Sequence, residues 1–167
     1  LRVSSPPLPP GAPGGWLQYA SRRIGLEDGR GVLVGIDLLE TEPVMGASIL
    51  KGDINDDAMM AEMIRLIDGK ADLVLSDMAA DTTGHRPTDH IRTTLLLDLA
   101  LDMAQRVLTP GGAFLAKCFR GGAERDALEL MRRDFATVRH VKPAASRQES
   151  VESYVLATGF RGDRPEE

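Results

Sequence analysis

Several short apolar runs in this chain end on a charged side chain, which is where a folded sheet presents its chemistry. "GVLVGID" closes on Asp37, "ASILKGD" leads to Asp53, "ADLVLSD" closes on Asp77, and "GAFLAKCF" carries Lys117 near its end. If these runs are strands of an open α/β sheet, ligands bind beyond their carboxyl ends, so three acids and a lysine converge on one edge. Asp37 closes the second element of the alternating pattern, where nucleotide-binding folds place a carboxylate that accepts hydrogen bonds from a ribose diol. A turn aspartate can equally cap the segment that follows it. Asp53, read alone, is such a cap, because "GDINDD" suits the start of a helix over 56–67.

A glycine turn belongs with these acids. In "PPGAPGGWLQYASRR" (9–23), Gly14 and Gly15 stand directly before Trp16, the only tryptophan. Glycines at a strand-to-helix junction let the backbone approach a ligand, and the helix start offers free N–H groups. The dinucleotide spacing GxGxxG is absent, since "GAPGGW" has glycines at 11, 14 and 15 only. A pyrophosphate grip is therefore disfavoured. A ligand with a nucleoside and a carboxylate but no phosphate fits better, and S-adenosylmethionine is one. Trp16 is expected to pack at the pocket mouth or against the sheet.

The elements that must position these residues alternate along the chain. Strands are expected over 31–37, 47–50, 71–77, 112–119, 136–141 and 152–159, and helices over 15–24, 56–67, 89–107 and 122–133. Continuous apolar runs such as Leu73, Val74 and Leu75 suit strands covered on both faces, so a mostly parallel, doubly wound sheet is expected. Asp89 is read as the N-cap of the longest helix and "TPGG" (109–112) as its stop signal. The Pro-rich "SSPPLPPGAP" (4–13) cannot be a central strand.

Length and charge bound the function. The 167 residues, 43% of them hydrophobic, match one compact domain, here 1–167 with an irregular Pro-rich N-terminus over 1–11 and a flexible tail over 161–167. The chain begins at Leu1 rather than at methionine. Neither a membrane-spanning run nor a secretory signal is seen, and the single cysteine, Cys118, excludes an internal disulfide and any multi-cysteine metal site. A reducing cytoplasm and a monomer are expected. The net charge of −5 is unevenly spread: from Lys117 to Arg147 eight basic residues face four acidic ones, so that segment is +4 and the remainder −9. A local patch of this kind is either a solvated helix face or a polyanion contact.

Together, "APGGW", "GIDLL", "GDI", "LSDMA", "RTTLLLDLALDMAQRVLTPGGAFLAKCF" and "SRQESVESYVLATGF" resemble the FtsJ/RrmJ-type ribosomal RNA large-subunit methyltransferases, in uninterrupted order over about 12–160. The resemblance implies a Rossmann-like class I fold and S-adenosylmethionine-dependent methylation of a uridine 2′-hydroxyl in 23S rRNA. It implies cofactor contacts at Gly14, Trp16, Asp37, Asp53 and Asp77. It also implies an active centre similar to a Lys-Asp-Lys-Glu tetrad, whose last three members match Asp77, Lys117 and Glu152. The first lysine of that tetrad lies upstream of the glycine turn in the family, and nothing occupies that place here. Where the family has an apolar strand before the turn, this chain has "LRVSSPPLPP". The first strand is therefore expected to be missing or degenerate, the cofactor site partial, and activity reduced or absent.

The chemistry itself asks for these residue types. A ribose 2′-hydroxyl is a very weak acid, so its attack on a sulfonium methyl needs a base or a cation that stabilises the forming alkoxide. Lys117 suits either role, although a strand-end lysine can also simply reach solvent. Asp77 would orient Lys117 and face the positive methyl donor, and Glu152, on its own, could be a surface residue. The polar loop "AADTTGHRPTDH" (79–90) is expected to border the RNA cleft, with His85 and His90 facing solvent. Arg86, Arg120, Lys142 and Arg147 are candidates for phosphate contact. No metal is expected. Two other classes compete: a small-molecule O-methyltransferase, which would want an apolar substrate lid, and a non-catalytic RNA-binding or ribosome-assembly descendant, which gives no reason for Asp77, Lys117 and Glu152 to occur together.

Overall fold

The computed structural model describes residues 15–78, 83–119, 121, 124–142 and 152–162. The expectations for a missing first strand, for the Pro-rich start and for 163–167 lie outside the described residues, as do Gly14, Arg120 and Arg147. The chain divides into two compact units, Leu1–Gly69 and Lys70–Glu167.

In the first unit, α1 (Gly15–Ile24) and a short 3-10 turn (Leu26–Asp28) precede a parallel pair, β1 (Val34–Asp37) and β2 (Ser48–Lys51), followed by α2 (Asp57–Leu66). The pair runs in register from Val34 opposite Ser48 to Asp37 opposite Lys51. A Cβ at Gly35 would stand 3.0 Å from Cδ2 of Leu17, so the Leu17 side chain of α1 lies close against the strand backbone. Leu26, Met60 and Met63 are buried. Asp56 caps α2, its carboxylate accepting from the Ala58 N–H at 2.8 Å. Asp53 is therefore not the cap.

In the second unit, β3 (Ala71–Ser76), α3 (Arg86–Val107), β4 (Leu108–Phe119), α4 (Arg125–Asp134), β5 (Phe135–Val141) and β6 (Glu152–Phe160) follow in chain order. The sheet order is β3-β4-β6-β5. β3 and β4 are parallel, whereas β6 runs antiparallel to both of its neighbours. Among the described residues, parallel pairing thus occurs at β1–β2 and β3–β4, and the chain's last strand inserts in the opposite sense between β4 and β5. Direction of that kind is set by the connections, not by the apolar content of the strand.

The core of this unit covers one sheet face. Val74, Phe114, Ala116, Cys118, Val155 and Ala157 are buried, together with Leu97, Ala100, Leu101, Ala104 and Val107 of α3 and Ala127, Leu128 and Met131 of α4. Registers Val74–Phe114, Phe114–Ala157 and Ala116–Val155 show that these strand positions share a face. Phe135 joins Phe114 and Phe160 with ring centroids 6.5 and 5.2 Å away. The opposite face, carrying Leu73, Leu75, Ala113, Leu115 and Lys117, is less buried.

Two boundaries differ from expectation for local reasons. α3 begins at Arg86, not at Asp89, because Pro87 in the first turn lacks only an N–H that would have no intrahelical partner anyway. His85 takes the N-cap position without a side-chain bond, and Asp89 lies in the first turn, 6% exposed. "TPGG" ends α3 as expected, but it then forms an irregularity within β4: Ala71 pairs with Leu108 and Leu73 with Ala113, so β4 spends three extra residues there. Gly111, at φ 87°, makes that bend possible.

Candidate active site

Register across three strands places the candidate catalytic groups in one row. Ser76 pairs with Ala116 and Lys117 with Tyr154, so Asp77, one step past the end of β3, comes level with Lys117 and Tyr154. The side chains meet there. Lys117 Nζ is 3.1 Å from Asp77 Oδ1, and the Tyr154 hydroxyl donates to the same oxygen at 2.8 Å. The lysine side chain is 14% exposed and the aspartate 42%, so the pair lies at the border of solvent with the cation more enclosed than its counter-ion. An ammonium held in this way has its position fixed by charge and by hydrogen bonding.

Tyr154 is the residue that sequence reasoning missed. The signal was its place in "ESYVLATG", an alternating run in which its register opposite Lys117 can be known only once β6 is paired with β4. Glu152 opens β6 with its backbone paired to Phe119, two positions from the Tyr154 row.

The other acids lie in the first unit. Asp37 closes β1, and its Oδ1 accepts from the Leu39 N–H at 2.9 Å, while its backbone carbonyl accepts from Gly52 N–H at 2.9 Å. The turn role and a ligand role are thus compatible: one carboxylate oxygen is used by the turn, and the other has no partner among the described residues. Asp53 Oδ1 accepts from both the backbone N–H and the side-chain amide of Asn55, each at 2.9 Å, and these bonds hold its carboxyl below the usual range. Beside Asp37 opens a cleft of about 590 Å³ lined by Leu39, Pro43, Ala47 and Ile49, with Glu40 and Lys51 as its charged members. Trp16 lies half-buried in the first turn of α1.

Around the second-unit site, Asp89 has a different task from the one expected. Its Oδ1 accepts from the Thr83 N–H at 2.8 Å and the Thr83 hydroxyl at 2.7 Å, and its Oδ2 from the Gly84 N–H at 3.2 Å. The carboxyl is held below its ordinary range chiefly by the bonds from Thr83. His85 is exposed, with Nδ1 bonded to the Thr88 hydroxyl at 2.8 Å. His90 does not face solvent: its ring packs on Phe119 with centroids 5.6 Å apart, and its Nε2 is buried. Phe119, at the end of β4, packs on this ring and explains the difference, and no local pattern announces the contact. Arg86 and Lys142 are exposed. Among the described residues no helix is long and apolar enough to cross a membrane, and no cluster of His, Cys, Asp and Glu could hold a metal ion.

The backbone likenesses show the class of fold. A ribosomal RNA methyltransferase from Plasmodium falciparum matches with a TM-score of 0.75, 22% identity, and coverage of 90% of this chain and 83% of that one. Human methyltransferase-like protein 13, in complex with SAH, matches with a TM-score of 0.57, 15% identity, and coverage of 89% and 68%. The fold is that of the Rossmann-like class I methyltransferases, α/β with a mixed sheet. More narrowly, residues 11–160 match the FtsJ-like methyltransferase pattern, and the chain belongs to that family. It is 56% identical over 150 residues to ribosomal RNA large subunit methyltransferase E of Granulibacter bethesdensis, covering 90% of this chain and 63% of that protein. The corresponding protein of Azorhizobium caulinodans is 52% identical over 158 residues, covering 93% and 66%. The chain thus spans about 60 to 68% of the length of the curated relatives it matches.

Proposed function

We propose that this chain is an S-adenosylmethionine-dependent methyltransferase acting on a ribose 2′-hydroxyl of a uridine in 23S rRNA of the large ribosomal subunit. The observation that carries the reading is the Asp77–Lys117–Tyr154 row, a fixed cation at a partly open sheet end. Relatives named as ribosomal RNA large subunit methyltransferases supply the substrate class. The family pattern crosses both compact units, which supports reading 1–167 as a single methyltransferase domain.

The residues suit the cofactor. Carboxylates at Asp37 and Asp53 accept hydrogen bonds from ribose and amine donors, and the cleft beside Asp37, with apolar walls at Leu39, Pro43 and Ile49 among polar neighbours, offers a surface for an adenine face. Gly14 and Trp16 would complete the methionine end, and Asp77 would face the sulfonium. S-adenosylmethionine, when bound, supplies an electrophilic methyl: the C–O bond to the ribose forms as the C–S bond breaks, S-adenosylhomocysteine leaves, and the hydroxyl proton passes to solvent. Lys117 directs an N–H at the acceptor oxygen and stabilises the negative charge growing on it. Asp77 and Tyr154 keep that donor in line. Glu152 is the remaining candidate of the centre, and Arg86, Arg120, Lys142 and Arg147 are the candidates for holding RNA phosphates.

Calorimetric titration with S-adenosylmethionine, repeated on Asp37→Ala, tests the cofactor site: binding that weakens about tenfold or more in the variant is expected, as when a charged hydrogen bond is lost. Methyl transfer to 23S rRNA, with Lys117→Ala losing roughly a hundred- to a thousandfold in kcat, tests the rest. A folded chain that binds no cofactor would overturn the reading.

A further inference from the structure

The first turn of α3 grips the exits of both strands that carry the reactive pair. Asp89 binds Thr83 and Gly84, in the segment leaving β3. One residue later, the His90 ring lies against Phe119, the last residue of β4 and two positions past Lys117. It also touches Gly121: a Cβ there would stand 2.6 Å from Cε1 and 2.7 Å from Nδ1 of His90, so no other residue fits while the ring stays in place. The Gly121 N–H in turn donates to Glu124 Oε1 at 3.3 Å, and Glu124 is 7% exposed.

The position is nonetheless occupied by a polar side chain. Among the described residues, the buried Nε2 of His90 has no hydrogen-bond partner, and neither has the hydroxyl of Thr93, which is 1% exposed. The two residues lie three apart, on one face of α3. Buried polar atoms are kept where they serve more than filling space, because leaving them unsatisfied is costly.

We infer that His90 is a positioning residue for methyl transfer: its ring, packed on Phe119 and close against Gly121, with its Nε2 edge buried, fixes the β4 exit and so aims Lys117 at the acceptor hydroxyl. The inference rests on the methyltransferase reading above. Its test compares wild type, His90→Leu and His90→Gln for thermal unfolding, cofactor affinity, kcat and KM for 23S rRNA, and hydrogen exchange at the Gly121 and Lys117 amides without substrate. His90→Leu should leave cofactor affinity unchanged, lower kcat roughly ten- to a hundredfold as misplaced groups do, and speed exchange at Gly121. His90→Gln, which keeps a polar end at the buried Nε2 position, should recover most of both. If kcat and exchange in His90→Leu equal those of wild type, or if both variants lose activity alike in step with lost stability, the inference fails. If wild type transfers no methyl group, the functional reading fails instead, and exchange at Gly121 still decides whether His90 fixes the β4 exit.

Discussion

Removing one hydroxyl from the candidate centre measures how far Lys117 depends on its neighbours. In Tyr154→Phe the ring stays and the donor to Asp77 Oδ1, at 2.8 Å, is lost. That oxygen also holds Lys117 Nζ at 3.1 Å, so the carboxylate gains freedom to turn and the ammonium to follow it. A hydrogen bond to a charged group contributes about 1.5–3 kcal/mol when enclosed. Asp77 is 42% exposed, so water replaces the lost donor in part and the net loss should be about 1 kcal/mol. About 1 kcal/mol corresponds to roughly fivefold in rate. Steady-state methyl transfer to 23S rRNA should therefore show kcat lowered about fivefold, with cofactor affinity unchanged and Tm lowered by no more than about 2–4 °C. No change in kcat would mean that Lys117 is held by Asp77 without help, and a loss of a hundredfold or more in a folded variant would mean that the hydroxyl itself takes part in the chemistry. Either result would refute the argument that Tyr154 acts only by orienting the pair.

The remaining predictions concern stability. Asp89→Asn should destabilise the protein near neutral pH, because the native carboxyl is held below its ordinary range; the difference between variant and wild type should vanish as pH falls through that lowered value, in urea titrations run as a pH series. Asp98 is opposite in sign: burial first, and then the Asp126 charge, raise its pKa, so Asp98→Asn should stabilise the protein above the carboxylate range, with the gap closing as pH falls through the raised value. Asp56→Ala should cost about 1 kcal/mol by losing the cap to the Ala58 N–H, whereas Asp53→Ala should leave α2 intact by circular dichroism and weaken only cofactor binding.

Much of this protein was legible in the residues in order. The apolar runs at 34–37, 71–76 and 112–119 are strands, and Asp37, Asp77 and Lys117 stand at or near their carboxyl ends, because period and turn chemistry act within a few residues. The pairing of Lys117 with Asp77 follows from the β3–β4 register, Ser76 opposite Ala116, which only the folded sheet sets. What the sequence could not decide was anything that depends on which strands become neighbours. β6 had to insert antiparallel beside β4 before Tyr154 could reach Asp77. Asp89 looked like a cap by local rules, yet Pro87 allowed α3 to start earlier, and the carboxylate, placed inside, found the Thr83 and Gly84 donors instead. His90 looked solvent-facing until Phe119 closed over it. Local conformational preference fixes where elements begin and which residues they end on, but contacts between side chains distant in sequence exist only once registers and helix faces are set. The sequence thus determined the candidate groups, and the tertiary structure determined which of them touch.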